Sequence, residues 1–411
     1  MERLISLFGL LVMIALVFAM SADRRKVDRR LVVAGVGLQF LLALLILKTG
    51  PGQALFGYIG AFFTALLNYV DAGSSFVFGE AFGEHFFAFK VLPTIIFFAA
   101  LMGVLYHLGL VQYVVAAFAW VMQRTLRTSG AESLAAAANI FVGQTEAPLV
   151  VRPYVASMTR SELMALMVGG FATIAGGVLA AFVGLGIDAG HLVAASVISA
   201  PAALLVAKVM QPEVEESKTL GRVSIEVERT ATNVVEAAAN GTLDGLRLAL
   251  NVAAMLIAAL GLIALVDGAL GLLGQGVGYM LGMEGLEWSL SAALGYLFAP
   301  FAWLMGIEAK DCLLAGELLG KKMVANEFVS YVQLSQWIQP GSGVELSQRS
   351  VIILTYALCG FANFSSIGIQ IGGIGGIAPE RRRDLARLGF RAMLGGSLAC
   401  FMTACVAGIL L

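Results

Sequence analysis

The chain has 411 residues, of which 59% are hydrophobic and 13% are charged, and its formal net charge is -1. A composition this apolar is typical of a protein with many membrane-spanning helices. It leaves no long polar region for a soluble catalytic domain and no basic excess for binding nucleic acid. The membrane segments themselves are therefore expected to carry the function.

Two spans are predicted at the N-terminus, over residues 4–20 and 31–47. The loop between them is strongly basic, with Arg24, Arg25, Lys26, Arg29 and Arg30. Because basic loops remain in the cytoplasm, this loop is predicted to be cytoplasmic and the N-terminus to lie outside. Residues 50–84 are apolar and aromatic with little charge, which predicts an interfacial helix with loops. A third span, 91–111, then returns to the cytoplasmic side.

The next segment predicts a re-entrant helical hairpin. Residues 133–142 and 148–158 are two apolar stretches of about ten residues each, whereas a helix that crosses the bilayer needs about twenty. The tip between them, 143–147, contains Gln144, Thr145 and Glu146. Since a charge at membrane depth is costly, Glu146 marks a candidate functional site.

The rest of the chain repeats this alternation of spans and polar interruptions. Residues 211–241 are the most charged stretch, which predicts a cytoplasmic linker that is helical near 233–241. Residues 288–307 are predicted to lie at the interface. A second hairpin, 309–339, is predicted to enter from the outside with Glu327 in its tip at 325–328. The remaining predicted spans are 164–185, 191–209, 246–266, 350–374 and 388–411, and the C-terminus is predicted to lie outside.

An internal repeat follows from the residues after each hairpin. Gly170-Phe171-Ala172-Thr173 follows the first hairpin and Gly360-Phe361-Ala362-Asn363 follows the second. These small and polar residues predict broken helices around 170–177 and 360–366. Because the two hairpins open to opposite sides, the copies are expected to have inverted topology, which is the architecture of secondary transporters. Chance recurrence in a chain rich in alanine and glycine is the alternative.

A broken helix leaves carbonyl oxygens without partners, and the bilayer offers no water to satisfy them. Near the first break these oxygens belong to Val142, Thr173 and Ile174, and the Asn139 amide and the Thr173 hydroxyl add two more. An oxygen cage without thiol or imidazole ligands suits a hard cation such as Na+.

The other polar groups predict a site for a neutral solute rich in hydroxyl groups, because they mix hydrogen-bond donors and acceptors with only two formal charges. They are Gln144, Thr145, Glu146, Glu327, Asn363, Ser365 and Ser366, and Phe361 would add an apolar ring. Three structural alternatives remain open: an ion pair of Glu146 with Arg152, an ion pair of Glu327 with Lys321 or Lys322, and serine hydroxyls bonded to helix carbonyls.

An enzyme is not expected. The cysteines Cys312, Cys359, Cys400 and Cys405 lack CxxC spacing, and the histidines His85, His107 and His191 are scattered. These patterns do not supply a metal site or a recognisable nucleophile and base.

At these motifs the chain resembles the concentrative nucleoside transporter family. The resemblance rests on GQTEAPLVVRPY at 143–154, GFATIAGG at 170–177, NEFVSY at 326–331 and CGFANFSSIGIQIGGIG at 359–375. The resemblance covers nearly the whole chain, and the arrangement of spans resembles that of the eight-span bacterial members. The expected fold is thus all-α, with about eight transmembrane helices and two re-entrant hairpins in an inverted repeat.

The resemblance implies a homotrimer in a bacterial inner membrane, in which each mobile transport domain moves as an elevator within a scaffold. Residues 1–122 are then mostly scaffold, 123–210 the first half of the transport domain, 211–286 the linker and a scaffold span, and 287–411 the second half of the transport domain. The implied activity is uptake of nucleosides such as uridine, driven by a sodium gradient. The family's proton-coupled members have a GQSEN tip instead, and a proton-coupled carrier remains the alternative.

The resemblance also assigns roles to single residues. Gln144, Thr145 and Glu146, with Val178, correspond to the nucleobase side of the pocket. Glu327, Asn363 and Ser366 correspond to the ribose side, with Phe361 in the same cavity. The sodium ligands correspond to Asn139, Val142, Thr173 and Ile174, the two aliphatic residues acting through their carbonyls. A nucleoside receptor that moves no solute is the rival from another class, and the inverted repeat argues against it.

Overall fold

The structure is a computed structural model that describes residues 1–219, 231–281 and 288–411, and helices dominate these ranges. The first half contains α1 (Glu2–Ala19), α2 (Arg29–Lys48), α3 (Gly50–Phe78), α4 (Leu92–His107), α5 (Leu110–Leu126), α6 (Gly130–Ala138), α7 (Ala147–Val150), α8 (Arg152–Val155), α9 (Arg160–Ala172), α10 (Gly176–Gly184) and α11 (Ala189–Met210). The second half contains α12 (Val234–Leu281), α13 (Leu290–Leu304), α14 (Cys312–Val324), α15 (Glu327–Trp337), α16 (Gln348–Leu358), α17 (Phe364–Ile377) and α18 (Arg382–Leu410).

Eight helical segments within the described residues are long and apolar enough to cross a membrane. This number equals the predicted one, but one predicted span is absent from the eight and one unpredicted segment is present. The segment Gly50–Phe78, for which we predicted an interfacial helix with loops, is one helix of 29 residues and qualifies by length and composition. The predicted span 350–374 is instead divided into α16 and α17, neither of which is long enough alone.

The prediction of one span over residues 91–111 was wrong at its C-terminal end. Helix α4 stops at His107, because Gly109 takes the left-handed conformation with a φ of 78°. A separate helix, α5, begins at Leu110 and ends at Leu126, before Arg127, which also has a positive φ, of 56°. Helix α5 packs on the first arm of the first hairpin, as α13 packs on the first arm of the second.

The two hairpins have different second arms. In the second hairpin both arms are single helices, α14 and α15, as predicted. In the first hairpin the second arm consists of two helices of four residues, α7 and α8, where we predicted one. Pro148 and Pro153 each lie in the first turn of one of them, and proline is tolerated there but not inside a longer helix.

Buried polar groups hold the base of the first hairpin. Ser129 and Thr159 each close a capping box, at the starts of α6 and α9. The Ser129 hydroxyl donates a hydrogen bond of 2.6 Å to the Glu162 carboxylate, which also accepts bonds from the hydroxyls of Ser217 and Thr219. The start of the linker therefore binds to the hairpin base, whereas its residues 220–230 lie outside the described ranges. The predicted helix near 233–241 is the first part of α12, which continues through the predicted span 246–266.

Reciprocal packing between the two repeats shows how they interlock. Each hairpin's first arm packs on the first half of its own broken helix, α6 on α9 and α14 on α16. The second halves are exchanged: α10 packs on α15, and α17 packs on α7 and α8. At the first of these contacts the Phe182 ring lies 5.2 Å from the Phe328 ring and 4.2 Å from the Tyr331 ring. Each repeat thus completes the other's hairpin.

Small residues allow close packing of α4 on α12. A Cβ atom added to Gly241 would lie 2.5 Å from the Ala99 carbonyl oxygen, and one added to Gly245 would lie 2.7 Å from the Ile96 Cα. Gly103 approaches α12 in the same way, at 2.7 Å from the Ala237 carbonyl oxygen. A spacing of four residues between glycines is the pattern that brings membrane helices into van der Waals contact.

Gly241→Leu should separate α4 from α12 and destabilise the protein by about 1–3 kcal/mol, because the leucine side chain has no space against the α4 backbone. The measurement is the thermal unfolding midpoint of the detergent-purified protein. Gly261→Leu is the matched control, since no atom of the described residues lies within 4 Å of a Cβ at Gly261 on the same helix. Equal midpoints for the two variants would contradict the packing argument.

Candidate functional site

The two helix breaks touch each other. The Phe361 backbone N–H donates a hydrogen bond of 3.3 Å to the Thr173 carbonyl oxygen, which joins the second break to the first. Gly360 has a φ of 155°, and a Cβ atom at this position would lie 2.7 Å from the Phe171 carbonyl oxygen. The two Gly-Phe-Ala sequences therefore lie in direct contact, and glycine is required at Gly360 by both conformation and space.

The tip of the first hairpin reaches across to α17. The Gln144 side-chain amide donates a hydrogen bond of 3.1 Å to the Ser366 hydroxyl. The Thr145 methyl group lies over α17, 3.4 Å from where a Cβ on Gly373 would be. A Cβ on Gly170 would lie 2.9 Å from the Gln144 Cβ, so the first break also supports the tip closely. Residues 222 positions apart in sequence thus form one polar cluster.

The tip of the second hairpin reaches the same helix end. Asn363 caps the N-terminus of α17, where its side-chain oxygen accepts a hydrogen bond of 2.9 Å from the Ser366 backbone N–H. Its side-chain nitrogen donates a hydrogen bond of 3.0 Å to the Glu327 carboxylate. The Ser365 hydroxyl donates to the Asn363 side-chain oxygen at 2.7 Å. The structure therefore brings Gln144, Glu327, Asn363 and Ser366 together.

The remaining candidates of the solute set lie around this cluster. Thr145 and Glu146 are exposed at the hairpin tip, and Phe361 is half-buried. The Glu146 carboxylate turns back over its own loop, where a Cβ on Gly143 would collide with it. Val178 is 3% exposed and lies in the first turn of α10, just after the break.

The two lysines near Glu327 have other partners. The Lys321 ammonium pairs with the Glu317 carboxylate at 2.6 Å and donates a hydrogen bond to Gln333. Lys322 is 2% exposed, and its ammonium donates a hydrogen bond of 2.9 Å to the Ala357 carbonyl oxygen near the end of α16. A cation at a helix C-terminus stabilises the unpaired carbonyl end. Sequence reasoning missed this role, although helical periodicity places one of two adjacent lysines on the buried face.

A second group of oxygens lies at the first break. Asn139 is 1% exposed, and its side-chain nitrogen donates a hydrogen bond of 3.0 Å to the Ala135 carbonyl oxygen. Its side-chain oxygen is buried and has no hydrogen-bond partner in the part of the chain that the structure describes. The Asn139 amide lies against α9, with its nitrogen 3.0 Å from where a Cβ on Gly169 would be. The Thr173 hydroxyl donates to the Gly169 carbonyl oxygen at 2.9 Å, which leaves the hydroxyl lone pairs available.

The chemistry of this group fits a hard monovalent cation. The atoms that would bind the ion are neutral oxygens, such as the Asn139 amide and the Thr173 hydroxyl. The neighbouring residues Val142 and Ile174 are 7% and 0% exposed. Among the described residues, no cluster of three or more His, Cys, Asp and Glu side chains could hold a metal ion. An orphaned buried amide oxygen is costly, and a cation is one of the few ligands that would satisfy it.

Gln370 is a polar residue of the site that sequence reasoning missed. It is 1% exposed on α17, and its side-chain nitrogen donates hydrogen bonds of 3.1 Å to both the Gln144 side-chain oxygen and the Met167 carbonyl oxygen. The sequence does contain a signal for it. Gln370 lies four residues after Ser366 and seven after Asn363, so the three share one face of a helix.

Comparison with known families gives three adjoining matches. Residues 191–408 match the family model described as "Na+ dependent nucleoside transporter C-terminus", and residues 8–81 match "Na+ dependent nucleoside transporter N-terminus". Residues 88–188 match a model described as "Nucleoside recognition". The chain belongs to the Na+-dependent nucleoside transporter family.

Proteins similar in sequence support this assignment to the Na+-dependent nucleoside transporter family. Solute carrier family 28 member 3 of Eptatretus stoutii and sodium/nucleoside cotransporter 1 of Mus musculus are each 46% identical over 420 residues, which cover 100% of this chain. The chain spans 61% and 64% of the lengths of these relatives. These homologues are transporters. The prediction that this protein is not an enzyme is therefore confirmed.

Solved structures of the transporter CNTnw share the fold. The structure of CNTnw in an inward-facing, substrate-bound state has a TM-score of 0.92 and 42% identity, and the match covers 100% of this chain and 98% of that chain. A CNTnw variant in an outward-facing state has a TM-score of 0.91 and 41% identity, with the same coverage. The predicted all-α fold and the predicted family are therefore confirmed.

Gly360→Ala should destabilise the protein by about 1–3 kcal/mol, because alanine tolerates the φ of 155° poorly and its methyl group meets the Phe171 carbonyl oxygen. The thermal unfolding midpoint in detergent measures this. The control, Gly368→Ala, places a methyl group in open space on α17 and should leave the midpoint unchanged or slightly higher. If both variants unfold like the wild type, the breaks do not depend on this contact.

Proposed function

We propose that this protein is a secondary active symporter that imports nucleosides across the cytoplasmic membrane, driven by a sodium gradient. The observation that carries the proposal is the contact between the two breaks, which places an oxygen group suited to a cation beside a polar cluster suited to a nucleoside. Membership in the family supports both ligands. Among the similar proteins, sodium/nucleoside cotransporter 1 is named for this cotransport, and CNTnw has a structure in a substrate-bound state.

The proposed sodium ligands are Asn139, Val142, Thr173 and Ile174. The orphaned side-chain oxygen of Asn139 supports the assignment, as does the Thr173 hydroxyl, whose hydrogen is directed to Gly169. The proposed nucleoside ligands are Gln144, Thr145, Glu146, Val178, Glu327, Phe361, Asn363 and Ser366. Of these, the hydrogen-bonded pair Glu327 and Asn363 is suited to ribose hydroxyls, since a carboxylate accepts and an amide nitrogen donates.

The two ligands are proposed to be coupled through the loop between α6 and α7. This loop contains Asn139 of the ion site and Gln144 of the solute site, five residues apart. A cation that orders the loop would also order the Gln144 amide for the nucleoside. Coupling then follows because each ligand favours the state that the other has stabilised.

The transport cycle is proposed to be of the elevator type. Residues 123–210 and 287–411 would form the two halves of the mobile transport domain, and residues 1–122 and 211–286 would contribute most of the scaffold. The reciprocal packing of α10 on α15 and of α17 on α7 and α8 supports a joint movement of the two halves. We also propose a homotrimer in a bacterial inner membrane, with both termini outside.

Uptake of radiolabelled uridine into proteoliposomes tests the proposed function. An inward sodium gradient is compared with choline at matched pH, and we expect accumulation only with sodium. The second candidate is a proton-coupled symporter in which Glu146 or Glu327 titrates. Full uptake in sodium-free buffer under an imposed pH gradient would favour that candidate, and binding of uridine without uptake would favour a receptor.

Asn139→Ala should raise the sodium concentration for half-maximal uridine uptake about tenfold, because one oxygen ligand of the ion is lost. Maximal uptake at saturating sodium should fall much less. Asn251→Ala, at an exposed position of α12, is the control and should leave the sodium dependence unchanged. An unaltered sodium requirement in the Asn139 variant would place the ion elsewhere.

Glu327→Ala should raise the KM for uridine about 10- to 100-fold, because a charge-assisted hydrogen bond to the ribose is lost. The variant should also lose discrimination between uridine and 3'-deoxyuridine, which competition uptake assays measure. Glu345→Ala, in the exposed loop after the second hairpin, is the control. Equal uptake of uridine and 3'-deoxyuridine by the wild-type protein would show that Glu327 does not recognise the ribose 3'-hydroxyl.

A further inference from the structure

A chain of hydrogen bonds fixes which end of the Gln144 amide points to the solute. The chain begins at the Met167 carbonyl oxygen, which can only accept a hydrogen bond. The Gln370 side-chain nitrogen donates to it at 3.1 Å. The opposite orientation of Gln370 would place its side-chain oxygen against this carbonyl and lose the bond. Met167 therefore determines the orientation of the Gln370 amide.

The same nitrogen of Gln370 then determines the orientation of Gln144. It donates a second hydrogen bond, also of 3.1 Å, and the atom that receives it must be the Gln144 side-chain oxygen. The Gln144 nitrogen is thereby directed away from Gln370, and it lies 3.1 Å from the Ser366 hydroxyl. One of its two hydrogens occupies that contact, and the other is available to a ligand.

Burial and close packing make this orientation rigid. Gln370 is 1% exposed and Gln144 is 8% exposed, so water does not compete freely for their hydrogen bonds. Both side chains pack against Gly170, where a Cβ atom would lie 2.8 Å from the Gln370 nitrogen and 2.9 Å from the Gln144 Cβ. The Gln370 side-chain oxygen is buried and has no hydrogen-bond partner among the described residues, so no bond to that oxygen would be kept or gained only in this orientation, and the two bonds of the nitrogen decide it.

We propose that Gln370 is a positioning residue that sets the nucleobase preference of the transporter, by holding Gln144 with its N–H donor toward the solute. The inference rests on the proposed function, because it assumes that Gln144 faces the nucleobase. An N–H donor recognises an acceptor atom on the base edge. Uracil and cytosine have opposite donor and acceptor patterns at positions 3 and 4, so they report the orientation of Gln144 directly.

The test compares uridine and cytidine uptake by wild-type protein and by Gln370→Glu in proteoliposomes. An ionised glutamate can only accept, and a protonated one, which burial favours, has a single O–H that the Met167 carbonyl takes. In both forms the carboxyl accepts from the N–H end of Gln144 instead. Gln144 then presents its oxygen to the solute. The ratio of kcat/KM for the two nucleosides should change about tenfold, because a matched hydrogen bond becomes a mismatched one.

Two further variants separate positioning from general damage. Gln339→Glu makes the same chemical change in an exposed loop and should leave the ratio at its wild-type value. In a Gln144→Ala background, Gln370→Glu should no longer alter the ratio, because Gln370 acts only through Gln144. A change that persists in this background would overturn the inference, as would an unchanged ratio in the single variant.

The uptake assay distinguishes a failure of the proposed function from a failure of the proposed role of Gln370. A wild-type protein that takes up neither nucleoside would refute nucleoside transport before the variants are compared. A wild type that takes up both, with a ratio that Gln370→Glu does not alter, would refute only the role of Gln370. The direction of the shift identifies the base atom: a loss of uridine preference indicates position 4, and a loss of cytidine preference indicates position 3.

Discussion

The structure depends on the contact between two helix ends that the bilayer cannot hydrate. Each break frees backbone groups that water would satisfy in a soluble protein, and lipid offers no substitute. The hydrogen bond from the Phe361 N–H to the Thr173 carbonyl oxygen satisfies one group from each break at once. This contact is possible because Gly360 permits the backbones to approach, and it fixes the distance between the two repeats.

The groups that this contact leaves unsatisfied define the proposed site. The Asn139 side-chain oxygen has no hydrogen-bond partner among the described residues, and the Glu327 carboxylate is held by the Asn363 amide alone of the polar side chains in the cluster. Both groups lie at or beside a hairpin tip. The first tip bonds to α17 of the other repeat, and the second tip bonds to α17 of its own repeat while Phe328 packs on Phe182 of the first repeat. A ligand that completes these hydrogen bonds or ion contacts therefore stabilises the junction of the two repeats and not one helix alone.

Sequence predicted the polar tips, the two breaks and their repetition, because a charge or an amide within an apolar run is visible without a structure. It also predicted the alternation of hairpin and broken helix. It did not predict α5, since the left-handed turn at Gly109 divides a run that is apolar on both sides. Nor did the sequence predict that the second arm of the first hairpin consists of two short helices, although Pro148 and Pro153 mark their first turns.

The roles of Gln370 and Lys322 could not be predicted, because their partners are distant in sequence. Gln370 depends on Gln144 and Met167, which precede it by more than 200 positions, and Lys322 depends on the Ala357 carbonyl. Spacing indicates that Gln370 shares a helix face with Asn363 and Ser366, but it does not identify the partner of either residue. The tertiary contacts are needed to show what Gln370 and Lys322 bind.

The most direct test of the central claim is the affinity of purified protein for uridine, measured by calorimetry at saturating sodium and in choline. If the ion and the nucleoside share one junction, sodium must tighten uridine binding, and uridine must tighten sodium binding by the same factor. We expect at least a tenfold difference, about 1.4 kcal/mol, which disappears in Asn139→Ala. Equal affinity for uridine in sodium and in choline would contradict the account.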